Sequence, residues 1–423
     1  MLLNQPHHAL TPARQVAVLA VLWLLYTVHS MDRSILFLVV PAIQREFALS
    51  NQQVGFLSGL AYALPAALCA IPFGLLGDRR DRRAILALLV LAWSATTGAS
   101  AFAAGFAILV SLRAVVGAVE SGAPPIMMSV LTDTFSAFRR PLAFSFYYTG
   151  ANAGVVVAGL LVHYAGKAHG WRELMMIAAL PGLVLAAGLF TLVKFPAHHR
   201  DAVVQFPATT AMTFRQVFRL PGVPLLYVLC ILGGMNTMAI GAWLSLFLVR
   251  GHGVDLAQAG SIVALAQGLG GVTGGITGGL VATRFGDGGS ARLCLIAGIA
   301  LCISVPCGIA AGLASAITPA IVAIAGWAFF TMMFVAPAHS ALLQQVPPGM
   351  RATAAAVLIV GVQLVGAGIG PQVVAVLADL LGGLGEGPAI RFAVAIMASV
   401  ALGPAVMLIR HAVRAPTGAG EAA

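Results

Sequence analysis

Twelve runs of roughly 20 or more apolar residues recur along this chain, at about 14–40, 51–76, 84–103, 106–132, 140–165, 172–194, 222–249, 257–283, 291–312, 317–345, 353–380 and 390–410. Each is long enough to cross a bilayer. Within a bilayer no water satisfies the peptide groups, so a spanning segment must be a helix or belong to a closed barrel. The expected fold is therefore an all-α membrane protein with twelve transmembrane helices. Composition agrees: 60% of the 423 residues are hydrophobic and 9% are charged, against about 25% charged in soluble domains. The first run is interrupted by His29, Asp32 and Arg33. It is too long and too charged to read as a cleavable leader.

Most connections are short. The exception, 196–221, is polar, basic and proline-containing, and it reads as a linker between an N-terminal six-helix half (1–195) and a C-terminal six-helix half (222–423). With the N-terminus placed inside, 16 of the 23 Lys and Arg residues fall on inner segments and five on outer ones, with Arg33 and Arg113 within spans. That bias places both termini and the linker in the cytoplasm. It also accounts for the net charge of +10 without nucleic acid as a partner. The five cysteines lie in apolar stretches without metal-ligand spacing, and His7-His8 and His198-His199 fall in polar segments, so no metal is expected. Short loops and an Ala- and Gly-rich chain suggest a bacterial inner membrane.

Sliding the chain by about 212 residues superposes its two halves. Val130-Leu-Thr-Asp133 falls on Leu342-Leu-Gln-Gln345, Arg139 on Arg351, and Gly154 on Gly366. At an offset of 205, Gly74-Leu-Leu-Gly-Asp78-Arg79 matches Gly279-Leu-Val-Ala-Thr283-Arg284. Two pseudo-symmetric halves with a midplane site between them form a transporter architecture.

Four charges inside apolar runs point to that site: Asp32, Arg33, Arg113 and Glu120. Each costs at least about 2.5 kcal/mol near the bilayer centre, so such residues are expected to be functional and to have a partner nearby. Arg113 and Glu120 are seven apart, two turns along one helix face. Asp32 and Arg113 lie roughly 10–14 Å in from the outer surface at 1.5 Å per residue, so they are expected to pair if their helices adjoin. A buried carboxylate's proton affinity depends on whether an arginine stands beside it. Movement of Arg113 relative to Asp32 or Glu120 therefore offers proton coupling, with a proton gradient as energy source and no cofactor. The repeat gives these charges no counterpart: Arg113 falls on Ala325 and Glu120 on Met332, and the second half offers only Asn236, Gln267, His339 and Gln363. A cavity charged on one wall and apolar on the other suits an amphiphile, with Arg33 or Arg113 meeting its anionic head. Tyr62, Tyr147, Tyr148 and Asn152 are further candidates to line it. HExxH and GxSxG motifs, clustered His/Asp and a P-loop are all missing, which excludes the familiar lipid hydrolases and ATP-driven pumps.

Gly74-x-Leu76-x-Asp78-Arg79-x-x-Arg82-Arg83 resembles the loop signature of the major facilitator superfamily, between helices 2 and 3. The resemblance implies a cytoplasmic gate built from Gly74, Asp78, Arg79, Arg82 and Arg83, joined by Asp133 and Arg139. Asp81 stands where the family has a glycine, and Thr283 replaces Asp78 in the second copy. Glycines 150, 154 and 159, with Gly366, Gly370 and Pro371, are similar to the family's closely packed helices 5 and 11. A finer resemblance is to its Spinster-like branch. It rests on Met31-Asp32-Arg33-Ser34, the stretch from Leu49 to Gly59, Arg113-x-x-x-Gly117-x-x-Glu120-Ser121-Gly122, Asp133-x-Phe135 with Arg139-Arg140, and Gly170-Trp171-Arg172. The neighbouring organic anion:cation symporters also carry an Asp-Arg pair in helix 1 and Arg…Glu in helix 4. The family resemblance implies that helices 1 and 4 line the central cavity together and that a monomer suffices. The Spinster resemblance implies a lysophospholipid or sphingoid-phosphate type of substrate. The alternative is a proton-coupled symporter or exporter of small organic anions or drugs.

Overall fold

The computed structural model describes residues 11–79, 81–136, 139–191, 216–220, 222–285, 289–347 and 350–414; most of the expected linker, 196–221, lies outside them. The described residues form twelve long helices and no strand. In chain order they are α1 (Pro12–Phe47), α2 (Asn51–Ser58 continued by Leu60–Arg79), α3 (Arg82–Ser100), α4 (Phe106–Glu120 continued by Ala123–Thr134), α5 (Arg140–Ala165) and α6 (Trp171–Thr191). The second six are α7 (Val223–His252), α8 (Leu256–Phe285), α9 (Gly289–Leu313), α10 (Ile317–Gln344), α11 (Arg351–Leu380 in three pieces) and α12 (Glu386–Val400 continued by Leu402–Arg414). Eleven of them meet the length and hydropathy of a membrane span among the described residues, and α5 has 26 residues.

The charges of the first run do not break α1, which continues beyond the apolar run and through Pro41 to Phe47. Its side-chain charges turn inward, where neighbouring helices rather than lipid meet them. Local chemistry explains the ends and breaks. Ser50 and Gln53 form a reciprocal capping box that starts α2, satisfying two otherwise orphaned N–H groups. α4 breaks immediately after Glu120, because Pro124 and Pro125 have no N–H to give the carbonyls of Glu120 and Ser121. α2 breaks at Gly59, whose missing side chain lets the backbone of α11 at Gly368 approach. α8 and α11 each carry a π-helical segment, Val263–Leu269 and Val362–Ile369, a feature frequent at functional positions.

The core differs between the two ends of the bundle. Toward the end away from the chain termini, buried residues of both sets of six helices merge into one apolar cluster, including Ile35, Val39, Trp243, Phe247 and Val374. Polar contacts cross there too: Asn51 and Gln52 donate to the Asp379 carboxylate at 2.7 and 2.9 Å, and Ser245 Oγ donates to the Leu38 carbonyl at 2.8 Å. Toward the termini, the core divides. One cluster holds first-half residues alone, around Leu22, Trp93 and Met127, and another holds second-half residues alone, around Tyr227, Leu301 and Leu342. Among the described residues the halves thus share a core at the far end and keep separate cores toward the termini, the open end of the bundle.

Candidate functional site

Four helices converge on the charged residues of the first half. α1 supplies His29, Asp32 and Arg33 on consecutive turns; α2 supplies Tyr62, α3 Trp93 and Thr97, and α4 Arg113 and Glu120. Gly117, between Arg113 and Glu120, lies against the Tyr62 backbone with no room for a Cβ. That contact brings the Tyr62 hydroxyl to Glu120, donating to Oε2 at 2.7 Å. Asp32 is 2% exposed and Glu120 is fully buried.

The expected pairing of Asp32 with Arg113 is not made. Asp32 Oδ2 instead accepts from Thr97 Oγ1 at 2.8 Å, while Oδ1 is buried without a partner. Arg113 Nε and Nη2 are likewise unpartnered. Its guanidinium lies over the Tyr62 ring at 4.5 Å and near the Phe37 ring at 5.7 Å. Arg33 meets the same Tyr62 ring at 4.9 Å, and its Nη1 reaches Gln363 Oε1 of the second half at 3.5 Å. Aromatic faces, rather than carboxylates, hold both cations here, and such contacts contribute about 0.5–2 kcal/mol. A cavity of about 10 Å³ adjoins Asp32, Thr97, Ser100 and Arg113, the space one water needs. Orphaned donors and acceptors on its wall make it a polar niche. The sequence placed these groups on facing helices, but χ-angle choice within a crowded core decides which of them touch.

Other expected residues scatter. Asn152 of α5 lies against Gly271 of α8, at the seam between halves. Tyr148 is 46% exposed, its ring edge-on to Tyr26 and Tyr147. At the termini-side end, Arg82 Nη2 bonds Asp133 Oδ2 at 2.7 Å and Nη1 donates to Ser129 at 2.9 Å. Arg83 stands 3.8 Å from Asp81, which caps α3. Arg139 precedes α5 and is exposed. Gly74, Asp78 and Arg79 fall on α2, but their side chains lie outside the described residues.

Two residues acquire a place that the sequence did not give them. His29 Nδ1 lies 3.9 Å from Glu120 Oε2 and has no hydrogen-bond partner. Its position three residues before Asp32, on the same helical face, was the available signal. Asn236, a possible cavity residue by sequence, is structural. Its Nδ2 donates to the Met397 carbonyl at 2.7 Å, and its Oδ1 accepts from Trp327 Nε1 at 3.1 Å. Among the described residues no group of three His, Cys, Asp or Glu side chains forms a metal site.

Comparison with known proteins agrees with this arrangement. Residues 22–371 match the model of the Major Facilitator Superfamily. Protein spinster of Drosophila melanogaster is 29% identical over 217 residues, 48% of this chain and 35% of that protein. A probable sulfoacetate transporter of Cupriavidus necator is 26% identical over 281 residues, 63% of this chain and 64% of its own length. These curated relatives are thus matched over about a third to two thirds of their length. Among solved structures, a bacterial homologue of the human lysosomal transporter Spinster, in an inward-facing and unoccupied conformation, superposes with a TM-score of 0.76. It is 25% identical, over 95% of this chain and 96% of that one. The buried charges of α1 and α4, the twelve-helix bundle and these likenesses agree: the chain belongs to the major facilitator superfamily, and within it resembles the Spinster-type transporters.

Proposed function

We propose that this protein is a proton-coupled secondary transporter of an amphiphilic, lipid-like anion of the lysophospholipid or sphingoid-phosphate type, working by alternating access. The observation that carries the reading is the pair of buried carboxylates, Asp32 and Glu120, each with an unpartnered oxygen, beside two arginines held by an aromatic ring. Unsatisfied buried charge is costly to maintain. A proton and an anionic substrate supply the missing partners in turn, so the cost becomes the coupling. Arg33 and Arg113 take the anionic head; Glu120 and Asp32 take the proton. Tyr62, Tyr148 and Asn152 line the path, and the neutral second half receives the apolar tail.

Alternating access follows from the two ends of the bundle. The halves, 1–195 and 222–423, rock as units joined by the 196–221 linker. The contacts of Asn51 and Gln52 with Asp379 close the outer end, while Arg82 and Asp133, with Gly74, Asp78, Arg79, Arg83 and Arg139, form the cytoplasmic gate. The protein works as a monomer in a bacterial inner membrane, with cytoplasmic termini and no cofactor. A second reading, transport of a small organic anion, is favoured by relatives named as sulfoacetate, D-galactonate and hexuronate transporters.

The test is uptake into proteoliposomes under an imposed pH gradient, comparing labelled lysophosphatidate with galactonate. Gradient-driven uptake of the lysolipid should fall by about 100-fold in Glu120→Gln, a loss on the scale of a proton-transfer group. Uptake of galactonate alone would move the substrate to the second reading. Coupling that survives the substitution would sink the role of Glu120.

A further inference from the structure

His29 is the one titratable side chain in the charged cluster that neither the coupling nor the binding scheme above uses. Its ring sits one turn nearer the open end of the bundle than Asp32, packed parallel to Tyr26 at 5.7 Å and edge-on to Trp93 at 5.8 Å. The groups that face it are few. Glu120 and Arg113 come from α4, Asp32 and Arg33 from its own helix, and Tyr26 covers one face. α3 contributes Trp93, which does not titrate, and on α5 Tyr147 stacks on Tyr26 while Tyr148 meets Tyr26 edge-on. Nδ1 points to Glu120 Oε2 at 3.9 Å without a hydrogen-bond partner, yet the side chain keeps 10% exposure, against none for Glu120.

Packing alone does not account for this. A carbon ring would stack between Tyr26 and Trp93 equally well. An orphaned buried nitrogen is costly to keep. Glu120 itself cannot exchange protons with the open end directly, since it is fully buried.

We propose that His29 relays protons between Glu120 and the water of the termini-side opening. The step balances simply. Protonated Glu120 gives the Oε2 proton to Nδ1, leaving a carboxylate and an imidazolium; the imidazolium gives its Nε2 proton to water. The neutral ring, now protonated on Nδ1, exchanges tautomer through water before the next turn. The gap of 3.9 Å exceeds a hydrogen bond, and such contacts commonly tighten only in the working complex. Asp32, beside the water-sized niche on the other side of the cluster, then serves the opposite end of the route. The whole proton path lies in the first six helices. The inference rests on the proton-coupled reading above.

The test separates the two. Proteoliposomes carrying wild type, His29→Gln, His29→Phe and Glu120→Gln are compared for lysophosphatidate and galactonate, whichever the wild type carries. Two rates are read for each: net uptake driven by a pH gradient, and exchange at equal pH. The ratio of net uptake to exchange should fall about 100-fold in both His29 variants, the scale lost with a proton-transfer group, and its dependence on internal pH should flatten. His29→Phe keeps the stacking and His29→Gln keeps a polar group, so either variant carries the test if the other fails to insert. An unaltered ratio, or an equal loss of both rates, makes His29 a packing residue and overturns the relay. A wild type with exchange but no gradient-driven uptake sinks the proton-coupled reading itself.

Discussion

The buried Asn236 of the second half and the buried charged cluster of the first half obey opposite rules. In the second half, Asn236 gives its amide protons to the carbonyls of Met397 and Ala398 and takes the indole proton of Trp327, so its donors and acceptor have partners. In the first half, Asp32, Glu120, Arg113 and His29 each keep at least one buried atom without a partner. A satisfied buried network rigidifies its helices, whereas a partly satisfied one is costly. The contrast teaches that helices of one bundle can bury a fully satisfied polar group on one side and a charged cluster with unpartnered atoms on the other. The ends of the bundle differ too: among the described residues the halves share a core at the end where Asn51, Gln52 and Asp379 meet and keep separate cores toward the termini.

That contrast can be broken by substitution. The largest effect is expected for Asp32→Asn, which leaves the Thr97 hydrogen bond possible but removes the charge. Gradient-driven uptake should drop about 100-fold, with little change in melting temperature measured in detergent. A large loss of stability instead would make Asp32 a structural residue like Asn236. Asn236→Leu should behave the other way. Stranding Trp327 Nε1 is expected to cost about 1–3 kcal/mol, seen as a lower melting temperature, while the ratio of net uptake to exchange stays near wild type. Coupling lost in that variant would erase the contrast. The smallest effect concerns the gate. Arg82→Gln breaks the 2.7 Å bond to Asp133, a pair with one partner largely buried. The expected change is a few-fold shift in uptake, since an ion pair with one water-exposed partner is worth about 1 kcal/mol or less. The exposed Arg284 of the second copy, replaced by Gln, should leave uptake unaltered within error.

Much of this arrangement is legible before folding. The twelve spans follow from apolar length alone, because a bilayer permits no other use for such runs. The break after Glu120 is written in Pro124-Pro125, and the four membrane charges announce a site by their cost. The neutral second half is equally visible from the repeat. Which groups touch is another matter. Nothing local says that Asp32 prefers Thr97 to Arg113, or that both arginines rest on Tyr62. His29 was hidden because a lone histidine in an apolar run most often packs in a core. Asn236 deceived in the other direction, since its partners lie at Trp327 and Met397, on other helices.

The sequence by itself determined the membrane class, the number of helices, the family and the half that carries charge, because these depend on hydropathy, spacing and repeat, all properties of the linear chain. The tertiary structure alone decided which end is open, which polar atoms stay unpartnered, and that His29 faces Glu120. The reason is physical. Those outcomes depend on which of several near-equivalent partners packing brings within about 3–4 Å, the range over which a hydrogen bond or buried ion pair acts, and no pattern along one strand of chain encodes that distance.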